Sequence, residues 1–137
     1  MKTIRVLILE DDLETISTII KKLHLLQQKL EQQTPAATFS VVVLAEYTQV
    51  EEFINKSEKI DFDIILLDRD CKAGGSFHIL DIERFGPEKI ISISSIPSYN
   101  EEAKGRGVRR TVFKDYNNLE EFSDKVLGEI EELISYE

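Results

Sequence analysis

Cysteine is nearly absent: Cys71 is the only one in 137 residues. No intrachain disulfide framework can form, and a reducing compartment, the cytoplasm, is expected. Three prolines and six glycines are too few and too scattered to mark a linker. There is no internal repeat and no low-complexity stretch, so one domain is expected over 1–137, a length that can bury a self-sufficient core. No apolar run approaches the ~18–20 residues that span a bilayer, so no membrane role is expected. The opening MKTIRVLILEDD is charged within a few residues and lacks a small-residue cleavage site; it reads as a first strand, not a signal peptide. Basic charge is scarce, with 17 Lys and Arg against 26 Asp and Glu and a net charge of -9. General nucleic-acid binding wants a positive surface, so DNA binding by this chain is not expected.

The scarce basic charge is concentrated. Residues 104–114 hold Lys104, Arg106, Arg109, Arg110 and Lys114 with no acid among them, whereas 117–137 hold seven acids and one lysine. Two readings are open: ordinary solvated faces, or a basic docking edge beside an acidic helix.

Short apolar runs alternate with longer amphipathic segments. Ile4 to Leu9, Phe39 to Ala45, Ile64 to Leu67, Ile90 to Ile93 and Val108 to Phe113 suit parallel strands covered on both faces. Leu13, Ile16, Ile20, Leu23 and Leu30 form a helical stripe with Ile19 and Leu26 beside it, which predicts a helix over about 13–33 ending before Pro35. Val50, Phe53 and Ile54 mark a second helix. Phe77, Ile79, Leu80, Ile82 and Phe85 mark a third, ended by Gly86-Pro87. A weak fourth covers roughly 98–106, and Leu119, Phe122, Val126, Ile130, Leu133 and Ile134 mark a fifth. The alternation predicts an α/β three-layer sandwich, a five-stranded parallel sheet with helices on both faces and right-handed crossovers. The flavodoxin-like order 2-1-3-4-5 is expected, with ligands at the C-terminal strand ends.

Those ends collect chemistry. Strand 1 ends in Glu10, Asp11 and Asp12, strand 3 in Asp68 with Asp70 beyond it, strand 4 in Ser94 and Ser95, and strand 5 in Lys114. Clustered carboxylates recruit a cation, and an all-oxygen donor set suits Mg²⁺. A carboxylate beside such an ion stays ionised and can attack phosphorus, while a lysine and a hydroxyl can hold phosphoryl oxygens. Taken singly each piece has a plainer reading, and Asp12 suits a helix N-cap.

With these motifs the sequence resembles the CheY-like receiver domain of two-component response regulators, as a stand-alone domain. IRVLILEDD resembles the family's first strand, FDIILLDRD its third, IISISS its fourth and GVRRTVFKDY its fifth. The resemblance implies that Asp68 is the phosphoacceptor and that Mg²⁺ is held by Glu10, Asp11, Asp68 and the backbone carbonyl of Asp70. It implies Ser94 as the switch hydroxyl, Ser95 as its small neighbour at the phosphoryl group, and Lys114 as the family's lysine. The implied partner is a sensor histidine kinase or a histidine phosphotransfer protein. The chain is then a phosphoacceptor and not an enzyme in the ordinary sense. If the chain stands alone, the expected output is a change of partner binding, with a weak homodimer through the α4-β5-α5 edge as one form.

The sequence departs from the family in places. Thr111 stands where receivers usually carry an aromatic, and Asp115 stands where proline usually follows the lysine. The loop RDCKAGGSF lacks the usual Leu-Pro and Gly spacing, and the stretch from Asp68 to Ser94 is shorter than usual, so a clipped third helix is expected. Two other readings stay open. A pseudo-receiver would bind partners without phosphate. A haloacid dehalogenase-type phosphohydrolase would use Asp68-Arg69-Asp70 as its DxD motif, although the acidic pair at the chain start and the absence of a cap domain suit it poorly. Cys71, His24 and His78 have no partner at metal or triad spacing.

Overall fold

The computed structural model describes residues 1–69, 71–72 and 75–135. The elements are β1 (Lys2–Leu9), α1 (Leu13–Glu31), β2 (Ala37–Leu44), α2 (Tyr47–Gln49, continued as a π-helical segment Val50–Asn55) and β3 (Ile64–Leu67). A 3₁₀ turn (Phe77–Ile79) follows, then α3 (Ile82–Phe85), a second 3₁₀ turn (Pro87–Lys89), β4 (Ile90–Ser94), α4 (Pro97–Gly105), β5 (Arg110–Phe113) and α5 (Leu119–Ser135). The sheet is parallel throughout, in the order β2-β1-β3-β4-β5. This is the expected architecture.

The period-2 alternation of strands divides the core into two layers. Ile4, Val6, Ile8, Ile64, Leu66, Ile91, Ile93 and Val112 pack under α1 and α5. Leu7, Leu9, Ile65, Leu67 and Ile90 pack on the opposite side with Val50, Ile54, Phe77, Ile82 and Phe85. Each fully buried side chain of this kind contributes about 1.5–3 kcal/mol. Because β1, β3 and β4 are covered on both faces, they read in sequence as unbroken apolar runs.

Register places the strand ends side by side. Leu9 pairs with Leu67, and Ser94 with Phe113. The next residues, Glu10, Asp68 and Lys114, therefore leave the sheet at one edge. The backbone ladder continues past the strands: Asp68 N–H donates to the Leu9 carbonyl at 3.0 Å and Lys114 N–H to the Ser94 carbonyl at 2.9 Å.

Three expectations are corrected. The buried face of α1 is Thr15, Ile19, Leu23, Leu26 and Leu30, so Leu13 is 77 % exposed and Ile20 37 % exposed. The helix carries more apolar residues than its buried stripe needs: Leu23 and Leu30 of the expected stripe are buried, with Ile19 and Leu26 beside them, whereas Leu13, Ile16 and Ile20 are not fully buried. The third helix is clipped, as expected, but to one turn: Leu80 adopts ψ 131°, which breaks the chain between the 3₁₀ turn and α3. Asp81 restarts it as an N-cap, accepting from Arg84 N–H at 3.2 Å. Lastly, β2 begins at Ala37 and β5 only at Arg110. Among the described residues no helix is long and apolar enough to cross a membrane.

Candidate functional site

Lys114 joins the two buried carboxylates of the site. Its Nζ donates to Glu10 Oε2 at 2.8 Å and to Asp68 Oδ2 at 2.8 Å. All three residues are buried. Glu10 reaches this position because its other oxygen, Oε1, accepts from the backbone N–H of Asp11 at 3.1 Å and of Asp12 at 3.0 Å. These two donors lie at the start of α1, where N–H groups lack intrahelical partners. Asp12 is the N-cap of α1, accepting from Thr15 N–H at 3.0 Å.

Two carboxylates share one ammonium, which leaves an excess negative charge in a buried place. Burial pushes the Asp68 carboxyl up to about 8, the Glu10 charge adds to the rise, and Lys114 only partly offsets it. Burial opposes the charge of Lys114, but Glu10 and Asp68 outweigh burial and hold its proton above the ordinary lysine value.

Asp11 completes the group. It is half-buried at the mouth, and one carboxylate oxygen each from Glu10, Asp11 and Asp68 lie within 4.8 Å of one another. Three hard oxygen donors carrying uncompensated charge fit Mg²⁺, which takes one or two carboxylates together with water and phosphate oxygens. Asp70, expected to offer a backbone carbonyl to the metal, lies outside the described residues.

Ser94 is buried at the end of β4, and its Oγ accepts from Ile96 N–H at 3.1 Å. Ser95, the expected phosphoryl neighbour, follows it half-buried. Thr111 is half-buried on β5, two residues from the exposed Phe113. Tyr116 is half-exposed, and the Lys114 ammonium lies 5.1 Å from its ring centroid, so an aromatic does flank the site beyond the lysine. Burial, with the charges of Asp11 and Asp68, pushes the Cys71 thiol up to about 11. It is therefore a poor nucleophile at neutral pH.

Sequence reasoning missed three residues. Lys72 contacts two of the three acids after β1: its N–H donates to Asp11 Oδ2 and its ammonium pairs with Asp12 Oδ1. Arg69, directly after Asp68, stacks its guanidinium 4.2 Å from the Tyr99 ring centroid and pairs with Glu102, both on α4. The Arg69 carbonyl accepts from Ser76 Oγ at 2.7 Å and from Phe77 N–H at 2.8 Å, so one residue ties the Asp68 loop to two elements. Buried Asn100 on α4 accepts from Ser92 Oγ at 2.7 Å and donates to the Val112 carbonyl at 3.3 Å, bridging β4 and β5. Neither the Lys72 nor the Arg69 contact has a local sequence signal. Asn100 could have been flagged only as a polar residue on an inward helical position.

Gly75 has a local reason. Its φ is +81°, and a Cβ there would lie 2.0 Å from Tyr47 Cε1. Gly75 itself lies against that ring, where a side chain would collide with it.

No protein-family model and no curated protein matches the chain. Solved structures do. The phosphorylated cyanobacterial phytochrome response regulator RcpA is 17% identical, with a TM-score of 0.69 over 98% of this chain and 96% of that one. The bacteriophytochrome response regulator AtBRR is 15% identical, with a TM-score of 0.61 over 97% and 94%. The beryllofluoride-activated N-terminal receiver domain of Klebsiella pneumoniae RstA is 18% identical, with a TM-score of 0.53 over 80% and 85%. Together with the strand order, these likenesses establish that the chain has the receiver fold of response regulators.

Proposed function

We propose that the chain is a phosphoacceptor switch. Asp68 takes a phosphoryl group from a histidine kinase or a histidine phosphotransfer protein, in a Mg²⁺-dependent way, and the modified chain changes its partner binding. One observation carries this reading: Glu10, Asp68 and Lys114 leave three different strands and meet in one buried, under-neutralised group, with Asp11 at its mouth.

The chain's own residues have separable roles. Asp68 supplies the attacking oxygen; its bond to phosphorus forms as the donor's N–P bond breaks, and the imidazole leaves with the electron pair. Lys114 fixes Asp68 Oδ2 beforehand and is positioned to follow a phosphoryl oxygen afterwards. Glu10 anchors Lys114 from the other side. Ser94 can turn its hydroxyl from the Ile96 N–H to the phosphoryl group. Bound Mg²⁺ would supply positive charge to the phosphoryl oxygens, with Glu10, Asp11, Asp68 and the Asp70 carbonyl as its holders. Exposed Leu13 and Tyr116 flank the site and offer apolar contact to a donor protein.

The output face we favour is α4-β5-α5. Arg69 couples the Asp68 loop to Tyr99 and Glu102 of α4, in place of an aromatic at Thr111. A charge-driven homodimer on this face has little free charge to use. Arg110 pairs with Glu129 at 2.5 Å and Glu132 at 2.6 Å, Lys104 pairs with Glu101 at 3.0 Å, and Arg106 donates to the His78 and Leu80 carbonyls. Arg109 alone of the five has no such partner among the described residues, so a heterologous partner is the reading for this face.

The pseudo-receiver reading is favoured by one observation: Lys114 already bridges Glu10 and Asp68 without a phosphoryl group. The test is amide-resolved NMR with Mg²⁺ and beryllofluoride, a phosphoryl mimic. Shifts at Asp68, Ser94, Lys114 and along α4 are expected. No shift beyond those caused by Mg²⁺ alone would favour the pseudo-receiver.

A further inference from the structure

We infer that the free edge of β2 is a self-association surface, on which a second copy of this chain adds its own β2 antiparallel. An edge strand exposes unpaired backbone donors and acceptors, and proteins usually blunt such edges with charge, proline, a bulge or a cover. β2 has none of the first three. Ala37–Leu44 contains no ionisable residue and no proline, and its register with β1 runs unbroken from Lys2↔Ala37 to Leu9↔Leu44. Val41, Val42 and Val43 are 36, 40 and 37% exposed.

The hydrogen bonds give the direction of each residue. The Leu44 carbonyl accepts from Glu10 N–H, so Leu44 points to β1. Phe39 N–H instead donates to Gln27 Oε1 of α1 at 2.8 Å, so Phe39 points to the edge. In a strand these directions alternate, so Val41 and Val43 also point outward. Among the described residues no side chain or loop takes their N–H groups. The cover is one side chain, and it stops at Phe39. The side of α1 that carries Gln27 also carries exposed Ile20 and half-buried Ile16, at helical spacings of seven and eleven residues. The edge therefore has an apolar wall.

The strand fits itself. In an antiparallel pair centred on Val42, the outward Val41 of each copy exchanges both backbone hydrogen bonds with Val43 of the other. Phe39 stays with Gln27, which marks the end of the pairing. Val42 faces its own copy across the axis at a non-hydrogen-bonded position, where Cα atoms approach to ~4.5 Å. With no charge in the strand, no like charges meet. The contact is smaller than the ~1,600 Å² of a standard interface, so the dimer is weak and concentration-dependent.

Sedimentation of the full chain from micromolar to millimolar concentration tests this. A monomer–dimer equilibrium that high salt does not dissolve is expected. Val42→Glu, which sets two carboxylates across the axis, shifts it to monomer while the far-ultraviolet spectrum is unchanged. In a Cys71→Ser background, oxidation links Val42→Cys into a disulfide dimer and leaves Ser40→Cys unlinked; this keeps the test valid if Val42→Glu misfolds. A monomer at every concentration overturns the inference. So does a dimer that survives Val42→Glu, or one that salt and Arg110→Glu dissolve, which would put the contact on α4-β5-α5.

Discussion

At the scale of the residue, Asp68 shares its buried surroundings with Glu10 and has one ammonium between them. A proton and a metal ion compete for that carboxylate. With the carboxyl pushed up to about 8, Mg²⁺ affinity rises with pH towards that value and levels above it. Calorimetry near neutral pH, in buffers of different ionisation enthalpy, should therefore detect a proton released on binding; a buffer-independent heat would contradict the site. The same shift bears on stability. A carboxyl whose value is raised on folding binds its proton more tightly in the folded state, so metal-free stability falls as pH rises from ~4, the unfolded value, to about 8. Asp68→Asn removes that loss, so urea unfolding should show the variant gaining on the parent across this window. Lys114→Ala leaves the buried Glu10 carboxylate without its cation, and a loss of about 3–5 kcal/mol is expected near pH 7. A loss within the range of an ordinary surface substitution would mean that the buried pair carries little.

At the scale of the element, α1 shows how a sequence can give a helix and hide its orientation. Leu13, Ile16, Ile20, Leu23 and Leu30 look like the buried stripe, yet the core takes Thr15, Ile19, Leu23, Leu26 and Leu30. Thr15 is polar and would not be picked from hydropathy, but its hydroxyl donates to Asp12 Oδ2, which offsets the cost of burial. In dilute protein, Ile19→Ala should cost about 2–5 kcal/mol and Ile20→Ala less than ~1 kcal/mol; the reverse order would mean the helix is rotated. The strands were legible because burial on both faces leaves no room for polar residues. The clipping of α3 was legible in the short stretch between Asp68 and Ser94; the place of the break was not, since Leu80 interrupts the helix by its backbone alone, with no breaker residue. Asn100 bridges β4 and β5 from α4. Asn100→Ala strands the Ser92 hydroxyl, at about 1–3 kcal/mol, and should loosen α4 in hydrogen exchange more than it loosens α5.

At the scale of the whole molecule, parallel register does most of the functional assembly. Glu10 and Asp68 are 58 positions apart in the chain and meet because each follows a paired residue, Leu9 and Leu67. Lys114 joins them because β5 ends beside Ser94. Once strand order was inferred, Glu10, Asp11, Asp68, Ser94 and Lys114 could be assigned to one edge from sequence. The long-range clasp of Lys72 on Asp11 and Asp12, and of Arg69 on α4, could not, because loop paths carry no periodic signal. The most direct test of the central claim is intact-mass measurement after acetyl phosphate treatment, with Mg²⁺ and with chelator, on the parent and on Asp68→Asn. One added phosphoryl group is expected on the parent, only with Mg²⁺ and removable by hydroxylamine, and none on the variant. An unmodified parent, or a modified Asp68→Asn, would contradict it.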